Sequence, residues 1–534
     1  MNKIKKFIQS RNEFVIPILF AILLVPLSYF HNTFEEWDGV MQLFAGRAIF
    51  DGEGYAGWPS HYWPPLYSLL AGFLDLFMPG FLASKLISHA AGVLLLYVVY
   101  KLAMELTKDE STALLSQLFL VVNPLYLLSS LQAENHMLDS LFFVSSILLL
   151  FRSLKFPGSK EFIVLGVMAG LAGLTRYTSY ILVPLIILTV LLAFNWKKAW
   201  KPLILFVVSF SVVSSPWWLH NSLLNGSPFA TWQYINIGYG LFDRNPLWWW
   251  KWHADYNGIS DIILSNPWAF IQHVFSNMLI SLLLMVGTCA ALSPFVLPAW
   301  ISSPFRIKKI YSVSLLTGVV LFIFLVSQAF VFPQVFLSWT VVFTILSIHF
   351  IITYLVRYER RHSFLKVMLK SVISILFCCG LLTTGYLTHQ YIKGDDYDGG
   401  QLADYKAITE TLKAYDPDIG HKTVMAVNPA WAYYLGSQFI MMPLYYEGEV
   451  AGIYTYEALD EKVIQHAQNT YGSPFIPPVK SDYLIFDRFT VNYLPQFSFL
   501  FNPHSSQVPS TFHLVYQSKE VVVYELKEVI PSEK

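Results

Sequence analysis

Between residues 14 and 388 the chain is a succession of apolar runs joined by short polar turns. A helix needs about 20 mostly apolar residues to cross a bilayer. Eleven segments read as candidate spans, several of them short: 14–30, 81–103, 112–128, 138–151, 162–174, 180–194, 202–218, 270–298, 312–332, 334–356 and 367–388. In lipid every backbone N–H and C=O must be satisfied within the protein, so such a chain folds as a bundle of helices. Charged residues make up 13% of the 534, against about 25% in soluble domains. Net charge is zero, which gives no nucleic-acid or polybasic signal. Cys289, Cys378 and Cys379 all lie in apolar runs, so neither a disulfide framework nor a cysteine zinc site is expected. The basic residues before position 14 precede no clear small-x-small cleavage site, and the first segment reads as an uncleaved span.

Charge placement orients the bundle. With the N-terminus cytoplasmic, the inner turns hold Lys3, Lys5, Lys6, Arg11, Lys101, Lys108, Arg152, Lys155, Lys160, Lys197, Lys198, Lys201, Arg306, Lys308, Lys309, Arg357, Arg360, Arg361, Lys366 and Lys370. The outer turns hold only Arg47, Lys85, Arg176, Arg244 and Lys251. This is the asymmetry of the positive-inside rule. An odd number of spans puts the rest of the chain outside. The expected organisation is a membrane domain over 1–389, with a large first external loop at 31–79, and an extracytoplasmic α/β domain over 390–534. In that tail a helix is predicted at 402–415, and strands at 423–427, 482–486, 512–517 and 521–526. No internal repeat or low-complexity segment is visible.

The same topology gathers chemistry-bearing side chains on the outer face. They are Glu35, Glu36, Asp38 and His61 in the first loop, Glu134, His136 and Asp139 at the next, Arg176 at a short turn, and His220, Arg244 and Lys251 further on. Arginine matches phosphate in a bidentate fork, and an arginine at a membrane turn is costly enough to suggest function, although it also fits an interfacial anchor. Glu134-Asn135-His136 with Asp139 reads most simply as an interfacial hydrogen-bond cluster, and alternatively as a divalent metal site. Trp248, Trp249, Trp250 and Trp252 fit either sugar stacking or an interfacial aromatic belt.

The first loop runs Glu35-Glu36-Trp37-Asp38-Gly39, Gly46-Arg47-Ala48, Gly52-Glu53-Gly54-Tyr55 and Trp63-Pro64-Pro65-Leu66-Tyr67. Further on stand Ala133-Glu134, then Gly170-Leu171-Ala172-Gly173-Leu174-Thr175-Arg176. Pro216-Trp217-Trp218-Leu219-His220-Asn221 and Gly226-Ser227-Pro228-Phe229 follow. In this order the motifs resemble the GT-C fold membrane glycosyltransferases, especially the protein O-mannosyltransferases and the lipid A aminoarabinose transferases. The tail segments Asn428-Pro429-Ala430-Trp431-Ala432-Tyr433-Tyr434-Leu435-Gly436 and Asp482-Tyr483-Leu484-Ile485-Phe486-Asp487 look like the small α/β domain of the second branch. No counterpart of the β-trefoil domains of eukaryotic protein mannosyltransferases is present. The resemblance implies that Asp38 is the catalytic base. Two departures stand out. His220 takes a place where arginine is usual, and a neutral imidazole holds phosphate less firmly. No arginine lies between Gln328 and Trp339, where many relatives carry one.

The expected function is an inverting glycosyltransferase that moves a sugar from a polyprenyl-phosphate donor to an acceptor outside the cytoplasm. The acceptor would be an envelope lipid, a glycan or a protein hydroxyl. The expected location is a bacterial or archaeal plasma membrane. Asp38 is the candidate base, and Arg176, Arg244, Lys251 and His220 are candidates for the donor phosphate. Glu35, Glu36, His61, Tyr67, Glu134 and His136 are candidates for substrate contact or for shaping the site. No obligatory metal or other cofactor is expected, because a monophosphate leaving group carries few charges to neutralise. The alternative is a transporter or flippase of lipid-linked sugars. Such proteins often show internal repeats and interrupted helices, and the apolar pattern shows neither. A non-catalytic scaffold would leave the outer carboxylate and cations without a role.

Overall fold

The computed structural model of the chain describes residues 12–30, 37–55, 62–156, 158–231, 233–242, 258–329, 331–359, 363–393, 403–441, 481–493 and 495–526. It divides into two compact units. The first comprises Met1–Asn32, Trp63–Thr231 and Asn266–Thr388, and the second Thr33–Tyr62, Trp232–Ser265 and His389–Lys534.

The first unit is helical. Among the described residues seven helices are long and apolar enough to cross a membrane: Gly80–Thr107, His136–Lys155, Trp196–Leu224, Pro267–Gly287, Lys309–Val326, Pro333–Tyr354 and Lys370–Gln390. A bent pair, Glu110–Val121 and Pro124–Leu131, makes an eighth. Helices Val15–Phe30 and Ser159–Thr175 and the pair Tyr177–Ile181 and Leu182–Ala193 fill the remaining predicted segments. Outward faces stay apolar, with Leu223 76% and Leu382 74% exposed. Side chains of that kind suit lipid rather than water. The chain is a multi-pass membrane protein.

Two apolar runs are not single helices. Segment 112–128 breaks at Asn123-Pro124, where the axes bend by 63°. Segment 270–298 stops at Gly287, passes Ala290 at φ 50° and restarts as Ser293–Ser302 with Pro294 in its first turn. Proline lacks an N–H and opens a helix rather than continuing one. The two breaks meet. Asn123 accepts from the Tyr126 N–H through Oδ1 and donates from Nδ2 to the Thr288 carbonyl at 2.8 Å. The Thr384 hydroxyl donates to the Val122 carbonyl at 2.7 Å, and the Thr288 and Thr340 hydroxyls bond at 2.7 Å. Backbone groups freed at membrane depth are thus satisfied by neighbouring side chains.

Close packing is set by glycine. A Cβ at Gly166 would lie 2.5 Å from the Phe206 carbonyl oxygen, and one at Gly170 would lie 2.9 Å from Val213 Cβ. Helices Ser159–Thr175 and Trp196–Asn225 therefore touch backbone to backbone, as small residues four apart permit. Gly166→Leu is expected to force them apart and sharply lower the yield of folded protein, and Gly166→Ala to do so less. Size-exclusion recovery and thermal melting in detergent check this, and an unchanged profile for Gly166→Leu would contradict the packing. Elsewhere Trp339 is fully buried against Phe143 at 5.7 Å and Phe322 at 6.0 Å, with Gly318 making room for its ring.

Glu105 ties three helices together. It accepts from the Tyr311 hydroxyl at 2.9 Å and pairs with Lys155, while Tyr311 stacks on Phe151 at 4.2 Å. Lys155 ends the helix that His136 begins. At 1.5 Å per residue this latch lies about 28 Å along the helix from His136.

The second unit carries a five-stranded sheet. Its strands are β1 Thr423–Ala426, β2 Gln438–Met441, β3 Tyr483–Asp487, β4 Phe512–Gln517 and β5 Val521–Leu526, in the order β2-β1-β3-β5-β4. The β1 strand runs parallel to β2 and β3, and β5 runs antiparallel to β3 and β4. Four of these strands and helix Ala403–Tyr415 lie where the alternation predicts them. The four-residue β2 is an addition, reached from β1 through helix Ala430–Leu435 and a left-handed Gly436 at φ +76°. Trp431 is buried and donates to Asp487 at 2.7 Å. Lys422 and Tyr483 both donate to Asp416 and hold its carboxyl below the usual carboxylate range.

Candidate active site

The polar centre of the helical unit is assembled where helix Ser159–Thr175 stops. Arg176 is extended, at φ −148° and ψ 137°, and a 3-10 turn, Tyr177–Ile181, follows. Its half-buried guanidinium reaches the start of helix His136–Lys155. Nη1 donates to Asn135 Oδ1 at 2.9 Å and to His136 Nδ1 at 2.8 Å. Asn135 Nδ2 points back to the Thr175 carbonyl at 3.4 Å. Since Nδ1 of His136 accepts, its proton sits on Nε2, which faces Glu134 Oε2 at 3.0 Å. The result is a relay from Arg176 through a neutral His136 to Glu134. Asp139, one turn along, accepts from the Ser179 hydroxyl at 2.5 Å.

Among the described residues only Nη1 of this guanidinium is engaged. Nη2 and Nε have no hydrogen-bond partner among the described residues. A fork held by one prong and open along its other edge suits a two-oxygen anion. Burial pushes the Glu134 carboxyl up to about 7, while Arg176 pulls it down.

The Ser88 hydroxyl donates to the Glu134 carbonyl at 3.0 Å and brings helix Gly80–Thr107 to the cluster. Lys85, one turn earlier on the same face, is 2% exposed. It is the one buried lysine or arginine among the described residues. Tyr67 is fully buried, and its hydroxyl donates to the Ser84 carbonyl at 3.0 Å, which pins helix Leu66–Asp75 beside Lys85. Lys85 therefore belongs among the candidates, although charge placement alone makes it only an outer cation. The signal for it is a charge six residues inside an apolar helix, where a cation is expensive. Asn135, Asp139 and Ser179 also join the cluster.

The His220 ring stacks on Trp217 at 5.2 Å. The adjoining Asn221 is buried, and its amide donates to the Pro228 and Ala230 carbonyls at 3.3 and 2.8 Å, closing the turn that Gly226 opens at φ +73°. That part of the Asn…Gly-Ser-Pro motif builds a helix end. In the other unit Asp38 is half-buried in the first turn of helix Trp37–Phe50. A carboxylate is favoured there by the helix dipole. Glu35, Glu36, His61, Arg244, Lys251 and the tryptophans 248–250 and 252 lie outside the described residues.

Residues 63–220 match the family described as dolichyl-phosphate-mannose-protein mannosyltransferase. No curated protein matches the sequence. Among solved structures, ArnT from Cupriavidus metallidurans bound to undecaprenyl phosphate superimposes with a TM-score of 0.58 at 12% identity, covering 95% of this chain and 97% of that one. The apo oligosaccharyltransferase of Archaeoglobus fulgidus gives 0.57 at 13% identity, covering 89% and 69%. AglB from the same organism, in complex with an inhibitory peptide and a dolichol-phosphate, gives 0.54 at 13% identity, covering 90% and 70%. The fold is that of the GT-C membrane glycosyltransferases. The matched stretch carries Tyr67, Lys85, Glu134, His136, Arg176 and His220, whereas Asp38 precedes it.

Proposed function

We propose that the chain is an inverting glycosyltransferase that takes a sugar from a polyprenyl-phosphate donor and passes it to an extracytoplasmic acceptor. The observation that carries this reading is the Arg176 guanidinium, anchored through Nη1 by Asn135 and His136 with its other edge open. In the reaction Asp38 takes the proton of the acceptor hydroxyl as that oxygen attacks the anomeric carbon. Negative charge builds on the departing lipid phosphate, and Arg176 stabilises it, with Lys85 as the second cation. A monophosphate leaving group asks for no further ion, so no obligatory metal is part of the proposal. Support comes from the mannosyltransferase match over 63–220 and from fold neighbours whose structures hold undecaprenyl phosphate or a dolichol-phosphate. The acceptor is an envelope lipid, a glycan or a protein hydroxyl.

Purified protein in detergent tests this with a panel of sugar-labelled synthetic undecaprenyl-phosphate donors (mannose, glucose, aminoarabinose) and lipid, glycan and peptide acceptors. Transfer from at least one donor is expected, and none from any would oppose the reading. The broken helix at Asn123-Pro124 is the feature that favours a transporter. Its freed backbone is closed by uncharged side chains, however, whereas the groups bonded to Arg176 sit at the start of helix His136–Lys155. The proposal also needs Asp38 outside the cytoplasm. Cysteines introduced at Asp38 and at Glu410 are expected to react with an impermeant maleimide in intact cells, and one at Lys308 is not. Labelling at Lys308 alone would invert the orientation and exclude an extracytoplasmic reaction.

A further inference from the structure

Helix Trp37–Phe50 is held by the α/β sheet within the second unit, through three side chains. Trp37 Nε1 donates to the Val427 carbonyl at 2.9 Å, where β1 ends. Phe44 packs on Phe439 of β2, with ring centroids 6.3 Å apart. The Arg47 guanidinium lies 5.3 Å over the Tyr433 ring, a cation–π distance. The receiving surface is itself fixed. The turn after β1 is built on Asn428, which accepts from the Ala430 N–H at 2.9 Å and donates to the Tyr405 hydroxyl at 3.0 Å. Tyr405 in turn packs on the buried Trp431 at 4.3 Å.

The angular consequence is specific. At about 100° per residue, Trp37, Phe44 and Arg47 fall within about 80° of one another on the helix surface. Asp38 lies about 100° from Trp37 on the other side, so the docked stripe displays Asp38 away from itself. A slip of one residue would turn Asp38 through about 100°. The Trp37 hydrogen bond is the directional contact of the three, and it is adjacent to Asp38.

We propose that the α/β domain is the platform that aims the Asp38 helix, and that Trp37 is its positioning residue. This rests on Asp38 being the base. Trp37→Phe keeps a ring and removes the N–H. With the undecaprenyl-phosphate sugar that supports transfer, kcat is expected to fall about ten- to a hundredfold, the scale of a small misplacement of a reacting group. Binding of undecaprenyl phosphate and the melting temperature are expected to stay near those of the unaltered protein. In an Asp38→Asn background the same change is expected to cost less than about twofold, because the group being aimed is gone. Amide exchange of 37–50 in the full chain is expected to quicken in Trp37→Phe. Unchanged kcat, or an equal loss in both backgrounds, would overturn the proposal, as would unaltered exchange. Failure of the base reading is separate: Asp38→Asn alone would then retain turnover, while the exchange measurement still decides whether Trp37 holds the helix.

Discussion

Asp38→Asn is expected to lower turnover about 10²–10⁴-fold, the usual contribution of a positioned general base. The amide preserves shape and helix position but accepts no proton. Donor affinity should change little, because the proposed base works on the acceptor hydroxyl and not on the donor phosphate. Single-turnover transfer of labelled sugar, with undecaprenyl phosphate binding measured alongside, separates the two effects. Near-normal turnover in Asp38→Asn would remove it as the base. Its place in the first turn of a helix puts it where the helix dipole favours the ionised form needed before the acceptor binds.

Arg176→Ala should weaken donor affinity or slow departure of the lipid phosphate by about ten- to a hundredfold, since a charge-assisted hydrogen bond contributes about 1.5–3 kcal/mol. Lysine should recover only part of this. Among the described residues Nη1 bonds Asn135 and His136, and in the proposed reaction Nη2 and Nε would take the anion. An ammonium on a flexible stem cannot hold both sides in one geometry. A purely anchoring arginine predicts the opposite pattern, with lysine fully active and alanine mainly lowering yield. Kinetics normalised to folded protein discriminate, and full activity in folded Arg176→Ala would exclude Arg176 and leave Lys85, Arg244 or Lys251 for the phosphate.

Much of the scaffold was legible because lipid and sheet impose periodic demands. Apolar runs marked where helices lie, and β-branched and aromatic alternation gave β4 at Phe512–Gln517 and β5 at Val521–Leu526 to the residue. Helix continuity was less legible. Mean hydropathy over 112–128 and 270–298 hid Asn123-Pro124 and Ser293-Pro294, although the missing proline N–H was written in the chain. Strand β2 escaped because four residues are too few to show a period.

Composition and charge placement were enough to reach a polytopic helical fold, and motif order, through the family resemblance, to name Asp38, Glu134, His136 and Arg176 as candidates. Three things needed the folded chain: which atoms of Arg176 are engaged, that Lys85 is buried rather than an outer loop cation, and that the Asp38 helix is seated on a sheet nearly four hundred residues away in the chain, through the Trp37–Val427 bond. Hydrogen-bond direction and long-range docking depend on where distant backbone groups fall in space, and local periodicity carries no record of that.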